Sequence, residues 1–353
     1  MKKVANVIAS VVIMLIVLVG IVRFTGNGYL LKGLWACYMH GYSSASIDDA
    51  QFFNTRSIET TNNTYTWPLH EAYNAEPLSD SLQQTLEQVK TVAFLVLKND
   101  SLWLEKYWDT YSDSSRTNSF SMAKSITTML AQIAIQKGLL DGWNQKVKTI
   151  LPELKGPYAD TLELWHLSAM CSGLQWDEKY KDPFSITAKA YYGEDVKQLM
   201  AQLPIVNPPG KEHNYQSGST QLLGLCLMKV TGQPLAQLAS DWLWIPLQAT
   251  HRAQWHTDSK GTELAYCCFN SNARDFARFG SMMLHHGNWR GTQVLDSGFV
   301  QMATKPVLVP FYGYSFWLDD SHGTPVFYQR GILGQYIISL PEYNTVIVRL
   351  GHE

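Results

Sequence analysis

The order of strand-like and helix-like segments constrains the fold of this chain most. Two apolar runs, 91–97 and 102–107, flank a turn at Asn99-Asp100 and predict a hairpin. Helical patterns dominate residues 139–280, where Gly and Pro clusters separate them. Strand character then returns at 314–318, 325–328, 335–340 and 345–350. This order predicts an α+β fold in which an antiparallel sheet packs against a helical lobe.

The N-terminus carries a long apolar segment. Residues 4–22 are nearly all apolar, with Lys2 and Lys3 before them and Arg23 after them. This length reaches the threshold for spanning a membrane and exceeds the usual core of a signal peptide. We therefore predict an uncleaved signal anchor over residues 1–25, with the lysines in the cytoplasm and the rest extracytoplasmic, periplasmic in a Gram-negative bacterium. A long, cleaved signal peptide is the alternative.

The rest of the chain divides into two parts. Residues 26–84 are polar and rich in turn formers, which is typical of a membrane-proximal extension, and residues 85–353 have the size and pattern of one catalytic domain. The net charge of -2 and the lack of any block of basic residues argue against a nucleic-acid partner. The oligomeric state is not defined by these features.

The cysteines and histidines do not form a recognisable metal-binding or disulfide pattern. The five cysteines are scattered, and the adjacency of Cys267 and Cys268 makes a bond between those two strained. No C-x-x-C and no H-E-x-x-H spacing occurs. We expect neither a metal nor an organic cofactor.

Ser121 and Lys124 form an S-x-x-K string at the start of an apolar helical run, 122–135. Residues three apart share one face of a helix, so the hydroxyl and the amine would be neighbours. A serine needs an adjacent base to become a nucleophile, and burial can lower the pKa of a lysine enough for that task. The string alone is weak evidence, because both residue types are common.

Three further segments follow in the chain, and their order supports a catalytic role for the S-x-x-K string. They are 166–176 (H-L-S-A-M-C-S-G-L-Q-W), 214–220 (N-Y-Q-S-G-S-T), and A-Y-C-C at 265–268 with A-R-D-F-A-R-F-G at 273–280. Together with S-x-x-K, this series resembles the serine hydrolases of the class C β-lactamase family over roughly residues 85–350. That family also holds penicillin-binding D,D-peptidases, esterases, D-aminopeptidases and 6-aminohexanoate-oligomer hydrolases.

The resemblance implies roles for individual residues. Ser121 would be the nucleophile, Lys124 its base partner and Tyr215 a proton shuttle, while Ser217 would be a substrate or network contact. A phenol with its ordinary pKa near 10 is a poor base at pH 7, but beside a lysine it can share a proton and act in both halves of acyl transfer. A surface tyrosine of the loop is the alternative reading of Tyr215.

Two departures from the family pattern bear on the substrate. The asparagine of the family's Y-x-N loop is Ser217 here, and the K/H-T/S-G motif of the edge strand is replaced by Gln329-Arg330-Gly331. Arg330 could restore the lost positive charge or simply face solvent. The backbone N–H groups of Ser121 and Ile332 would form the oxyanion hole. Because the lysine that helps to recognise a penicillin carboxylate is missing, we expect little or no β-lactamase activity.

These features predict a membrane-anchored serine hydrolase that cleaves a small ester or amide through an acyl-enzyme, closest to the esterase and oligomer-hydrolase branch. A D,D-peptidase, a β-lactamase and a non-catalytic module that binds cell-wall fragments are the alternatives. An α/β hydrolase is disfavoured because no G-x-S-x-G string occurs. Family members usually end in a helix packed on the sheet, whereas this sequence stops just after its last strand, so we expect a C-terminally truncated fragment.

Overall fold

The fold is described from a computed structural model that covers residues 2–42, 44–321 and 323–353. Its main feature is a six-stranded antiparallel sheet of order β3-β2-β12-β11-β10-β9. Its strands are β2 (Thr91–Lys98), β3 (Ser101–Tyr107), β9 (Trp317–Asp319), β10 (Val326–Gly331), β11 (Gln335–Leu340) and β12 (Thr345–Gly351). β12 lies at the centre, because Val348 pairs with Leu95 of β2 on one side and with Ile337 of β11 on the other. The predicted hairpin and the C-terminal strands are confirmed.

A second, smaller sheet has the order β1-β5-β6-β4. Its strands are β1 (Asn54–Ile58), β4 (Thr117–Asn118), β5 (Ala253–Thr257) and β6 (Phe269–Ser271), and a separate hairpin joins β7 (Asn288–Trp289) to β8 (Thr292–Gln293). The expectation of a mostly helical stretch over 139–280 did not include β5 and β6. These strands are too short to show an alternating pattern, and β6 is buried throughout.

The helices form the second layer and a lobe beside it. In chain order they are α1 (Lys2–Phe24), α2 (Gly28–Ala36), α3 (Asp80–Gln88), α4 (Met122–Gln136), α5 (Val147–Ile150), α6 (Leu164–Ser168), α7 (Ile186–Tyr192), α8 (Val196–Gln202), α9 (Ser217–Thr231), α10 (Leu235–Ala239), α11 (Ala273–Leu284) and α12 (Ser297–Ala303). Gly142 adopts φ +141°, a conformation that favours glycine, and the helix that follows it, α5, is limited to one turn.

Two helices cover opposite faces of the large sheet. α11 packs on the inner face, where a Cβ on Gly280 would lie 2.6 Å from Val346, so only glycine permits this close approach. α3 covers part of the outer face through an apolar cluster that includes Leu86, Phe94 and Leu104. The predicted arrangement of a sheet against helices is thus confirmed.

α4 is the central helix of the domain. Thirteen of its fifteen residues are buried, and it packs between α9 and the large sheet. The helix ends where Gly138 takes a left-handed conformation, φ +68°. A helix buried on all sides holds its first turn in a fixed position, and Ser121 immediately precedes that turn.

Candidate active site

Ser121 lies at the N-terminus of α4 and is half-buried. The chain reaches it from β4 through Phe120, whose φ of +43° is rare for a residue with a side chain. The Asn118 side chain accepts a hydrogen bond of 2.8 Å from the Phe120 N–H and supports this turn. The serine hydroxyl is therefore presented by a strained, well-packed turn at the positive end of a helix, where a developing negative charge is stabilised.

The Lys124 amine lies one helical turn beyond Ser121 and points at it. Its Nζ donates to Ser121 Oγ at 2.8 Å, to Ser217 Oγ at 3.0 Å and to the Tyr266 carbonyl oxygen at 3.2 Å. The side chain is 1% exposed. Burial lowers the pKa of Lys124 to about 8, although the negative charge of Glu178 acts in the opposite direction. A useful fraction of the lysine is thus neutral near physiological pH.

Tyr215 stands on the loop before α9, on the other side of the lysine. The Lys124 Nζ lies 5.0 Å from the centre of its ring. Burial raises the pKa of the Tyr215 phenol well above its ordinary value, while its hydrogen bond with Ser121 opposes that shift. The phenol is therefore protonated at neutral pH, so its position suits a proton donor better than a resting base.

Glu178 is a site residue that we did not predict. Its carboxylate accepts hydrogen bonds from the Ser217 hydroxyl at 2.5 Å and from the Ser217 N–H at 2.7 Å. The Trp176 indole and the Tyr180 hydroxyl also donate to it, at 2.7 and 2.5 Å. The carboxylate is thus linked through Ser217 to Lys124. The sequence signal that could have found Glu178 is the string W-x-E-x-Y at 176–180, which places an acid between two aromatic hydrogen-bond donors in the loop after S-G-x-x-W.

The end of β10 borders the nucleophile. A Cβ on Gly331 would lie 2.3 Å from the Ser119 carbonyl oxygen, so glycine allows the strand to approach the turn that carries Ser121. Ile332, the next residue, is thereby placed beside this turn. Arg330 is exposed and its guanidinium lies 5.4 Å from the centre of the Trp317 ring, while Gln329 is buried.

An aromatic wall extends from Tyr215 along the mouth of the site. The Tyr215 ring contacts Trp317 at 5.5 Å and Tyr312 at 6.0 Å between ring centres, and Phe311 stacks on Trp317 at 6.3 Å. Phe311 is 45% exposed. A substrate approaching Ser121 from this side would meet an apolar surface with a cationic rim at Arg330.

The structure brings most of the predicted site residues together. Ser121, Lys124 and Ser217 are joined by hydrogen bonds, and Tyr215 contacts the lysine through its ring. Arg330 has a less direct link, since its guanidinium lies over the Trp317 ring and its positive charge acts on the Tyr215 phenol. The aromatic residues of the segment 176–192, which ends in α7, differ in burial: Trp176 and Tyr191 are buried, and Tyr180 is exposed.

Two of the matched segments pack directly on each other. The Ser172 hydroxyl lies 2.8 Å from that of Ser219, and a Cβ on Gly218 would lie 2.4 Å from the Trp176 ring. The S-G-x-x-W segment therefore forms the floor on which the Tyr215 loop rests.

Cys267 and Cys268 are bonded to each other, which corrects the expectation from their adjacency. Both are buried, and Cys268 takes a left-handed conformation with φ +72°. The pair directly follows Tyr266, whose carbonyl oxygen accepts from Lys124. Strain disfavours such a ring without excluding it when the surrounding core fixes the backbone.

Comparison with known proteins identifies the family. The family described as Beta-lactamase matches residues 78–352, so the chain belongs to the beta-lactamase family. The 6-aminohexanoate-dimer hydrolase of Paenarthrobacter ureafaciens is 29% identical over 231 residues, which cover 62% of this chain and 58% of that protein. Protein flp of Staphylococcus aureus strain MW2 is 28% identical over 180 residues, 48% of this chain and 35% of the relative. The chain thus spans about half the length of the curated relatives it matches.

Solved structures agree with this assignment at the level of the fold. A candidate 6-aminohexanoate-dimer hydrolase from Bacillus anthracis superposes with a TM-score of 0.76 at 22% identity, over 91% of this chain and 90% of that one. A D-stereospecific amidohydrolase from Streptomyces gives a TM-score of 0.63 at 17% identity, over 78% and 94% of the two chains. The predicted β-lactamase and penicillin-binding-protein fold is confirmed.

Proposed function

We propose that this serine hydrolase cleaves a small ester or amide through an acyl-enzyme on Ser121. The observation that carries the proposal is the 2.8 Å contact between Lys124 Nζ and Ser121 Oγ, made by a buried amine whose pKa is lowered to about 8. The neutral lysine takes the proton of Ser121 as its oxygen attacks the substrate carbonyl. The backbone N–H groups of Ser121 and Ile332 stabilise the oxyanion, and each such donor contributes about 3 kcal/mol in comparable enzymes.

Tyr215 completes the proton transfer. Its protonated phenol donates to the departing amine or alcohol, and the Lys124 ammonium, 5.0 Å from the ring centre, replaces that proton. In deacylation a water molecule attacks the acyl carbonyl and gives a proton to the Lys124–Tyr215 pair. The pair passes a proton on to the oxygen of Ser121 as the acyl bond breaks. Ser121 leaves as its free hydroxyl, and the protein returns to its starting state. Ser217 and Glu178 hold the lysine between its two partners.

The substrate side of the site favours esters and linear amides over β-lactams. Gln329 is neutral where the family carries a cation, and Arg330 lies at the rim beside Trp317. Weak binding of a penicillin carboxylate is the consequence we expect. D,D-peptidase and β-lactamase activities are the alternatives within the family, and a binding module without turnover is the alternative outside catalysis.

The N-terminal helix indicates where in the cell the hydrolase domain lies. α1 has 23 residues, is almost entirely apolar between its terminal charges, and has no buried residue. We infer that it anchors the enzyme in a membrane with the hydrolase domain extracytoplasmic.

Covalent labelling tests the proposed nucleophile. A fluorophosphonate should add one mass equivalent to the wild-type chain and none to Ser121→Ala. Ser125→Ala is the matched control, because Ser125 lies one turn further along α4, is buried and donates to the Ser315 carbonyl oxygen. Equal labelling of Ser121→Ala and wild type would end the proposal.

A substrate screen tests the bond that is cleaved. p-Nitrophenyl esters and D-amino acid amides should be turned over faster than nitrocefin. Nitrocefin hydrolysis at the rate of a resistance enzyme would favour the β-lactamase alternative, and labelling without turnover of any of them would favour the binding module.

A further inference from the structure

The segment that follows α1 exposes an unusual apolar surface. Leu34, Trp35, Tyr38 and Met39, which we call the interfacial patch, are 52%, 45%, 66% and 72% exposed. The other side of the same segment is also apolar, since Tyr29, Ala36 and Cys37 are buried against the domain. A surface helix of a soluble protein normally turns a polar face outward. A contiguous apolar surface of this kind marks an interaction site.

The position of the patch in the chain indicates what covers it. α1 contains 23 residues, which corresponds to about 34 Å of helix and matches the hydrocarbon thickness of a bilayer. Three residues, Thr25, Gly26 and Asn27, connect α1 to α2. Such a linker spans at most about 11 Å, so α2 cannot leave the neighbourhood of the membrane surface once α1 is inserted. Trp and Tyr are the side chains that prefer this layer.

α2 is also fixed to the hydrolase domain. A Cβ on Gly33 would lie 3.3 Å from the Tyr192 ring, and Cys37 Sγ lies 3.0 Å from the Tyr192 hydroxyl. The Lys32 amine lies 4.5 Å from the centre of the Phe53 ring. The patch and the domain therefore keep one relative orientation. Tyr192 ends α7, and the loop that leads into α7 contains Glu178 of the candidate site.

We propose that the interfacial patch lies in the headgroup layer of a lipid bilayer and holds the hydrolase domain, with α7 and the loop that leads into it, against the membrane surface. The partner is the bilayer itself. The neighbouring segments carry charges of both signs, with Lys32, Lys181 and Lys189 near Asp48, Asp182 and Glu194, so a zwitterionic surface suffices. The inference rests on the proposed anchoring by α1 and extends it from a tether to a fixed orientation.

Depth-dependent quenching tests the proposal on the full-length chain in phosphatidylcholine vesicles. Leu34→Cys and Met39→Cys are labelled separately with an environment-sensitive fluorophore, and the unsubstituted chain serves as the labelling blank because Cys37, Cys171 and Cys226 are buried. Asn62→Cys, an exposed position beyond β1, is the matched control. Lipids that carry a nitroxide near the headgroup should quench the labels at 34 and 39 several-fold more than the label at 62. Aqueous iodide should give the reverse order.

The possible results distinguish anchoring by α1 from contact of the interfacial patch with the bilayer. If the chain floats with the vesicles but iodide reaches positions 34 and 39 as readily as 62, the interfacial patch is refuted and the anchor stands. If the chain does not float with vesicles, both the anchor and the patch are refuted. Ser121→Ala, added to the labelled Leu34→Cys chain, must leave its quenching unchanged, because the readout does not involve catalysis. A failure of the proposed hydrolysis would leave this result unchanged.

Discussion

Neutralising Glu178 should shift the pH dependence of the enzyme towards acid. The carboxylate lies 2.5 Å from Ser217 Oγ, which lies 3.0 Å from Lys124 Nζ, so the two charges are within about 5.5 Å of each other. Glu178 stabilises the ammonium form of the lysine and works against the effect of burial. Glu178→Gln keeps the size of the side chain and removes this stabilisation.

The magnitude follows from Coulomb's law. At about 5.5 Å and an effective dielectric constant of about 20, the attraction is roughly 3 kcal/mol, which corresponds to about two pKa units. The pKa of Lys124, about 8 in the wild type, should therefore fall by up to that amount. Since the base acts in its neutral form, the acidic limb of kcat/KM should move down in pH by the same interval.

The assay is kcat/KM for a p-nitrophenyl ester between pH 5 and pH 9. Tyr180→Phe is the control, because it removes a 2.5 Å hydrogen bond to the same carboxylate and leaves the charge in place. The limb of Tyr180→Phe should coincide with that of wild type. If the limb of Glu178→Gln stays in place or moves to higher pH, Lys124 is not the base that this limb reports.

Three further predictions concern other parts of the structure. Tyr215→Phe should lower kcat by about 10² or more through loss of the proton donor, and stopped-flow measurements should find the same loss for amides with poor leaving groups and a smaller one for activated esters. Burial raises the pKa of Asp49 to about 7, against about 3.9 in an unfolded chain, so the free energy of unfolding should fall as pH rises from about 4 to 7 and then level off. Asp49→Asn should abolish this slope in thermal unfolding, and an unchanged slope would contradict the assignment. Gly331→Ala places a Cβ 2.3 Å from the Ser119 carbonyl oxygen, so it should displace β10 from the nucleophile and reduce kcat/KM by about 10². A fully active Gly331→Ala would show that β10 does not define the oxyanion hole.

The parts of the fold that could be predicted are those with strong local patterns. β2 is a continuous apolar run before a turn, β11 alternates in burial, and the apolar run after Ser121 is long enough to define α4. β5 and β6 escaped prediction because a short strand buried on both faces has no period. β1 escaped because its sequence, N-T-R-S-I, is mostly polar and gains its structure from pairing with β5.

The candidate site likewise contains residues that the sequence predicts and residues that it does not. Ser121, Lys124, Tyr215 and Ser217 stand in strings with fixed spacing, and such spacing can be recognised in a single sequence. Glu178 lies in an irregular loop, where its carboxylate reaches Ser217 only through the tertiary fold. The bond between Cys267 and Cys268 was missed for a different reason, because the strain of the ring was visible and the buried backbone that accommodates it was not.

The pairing of β1 with β5 sets a lower limit on the size of a working enzyme. β1 lies before the start of the family match, yet it occupies the edge of the sheet whose opposite edge, β4, leads to Ser121. A protein cut at residue 85 would lose the buried Ile47 and Ile58 and leave β5 as an unprotected edge open to other chains. An expression boundary chosen from homology alone should therefore yield aggregates, and one placed before residue 45 should keep the sheet closed.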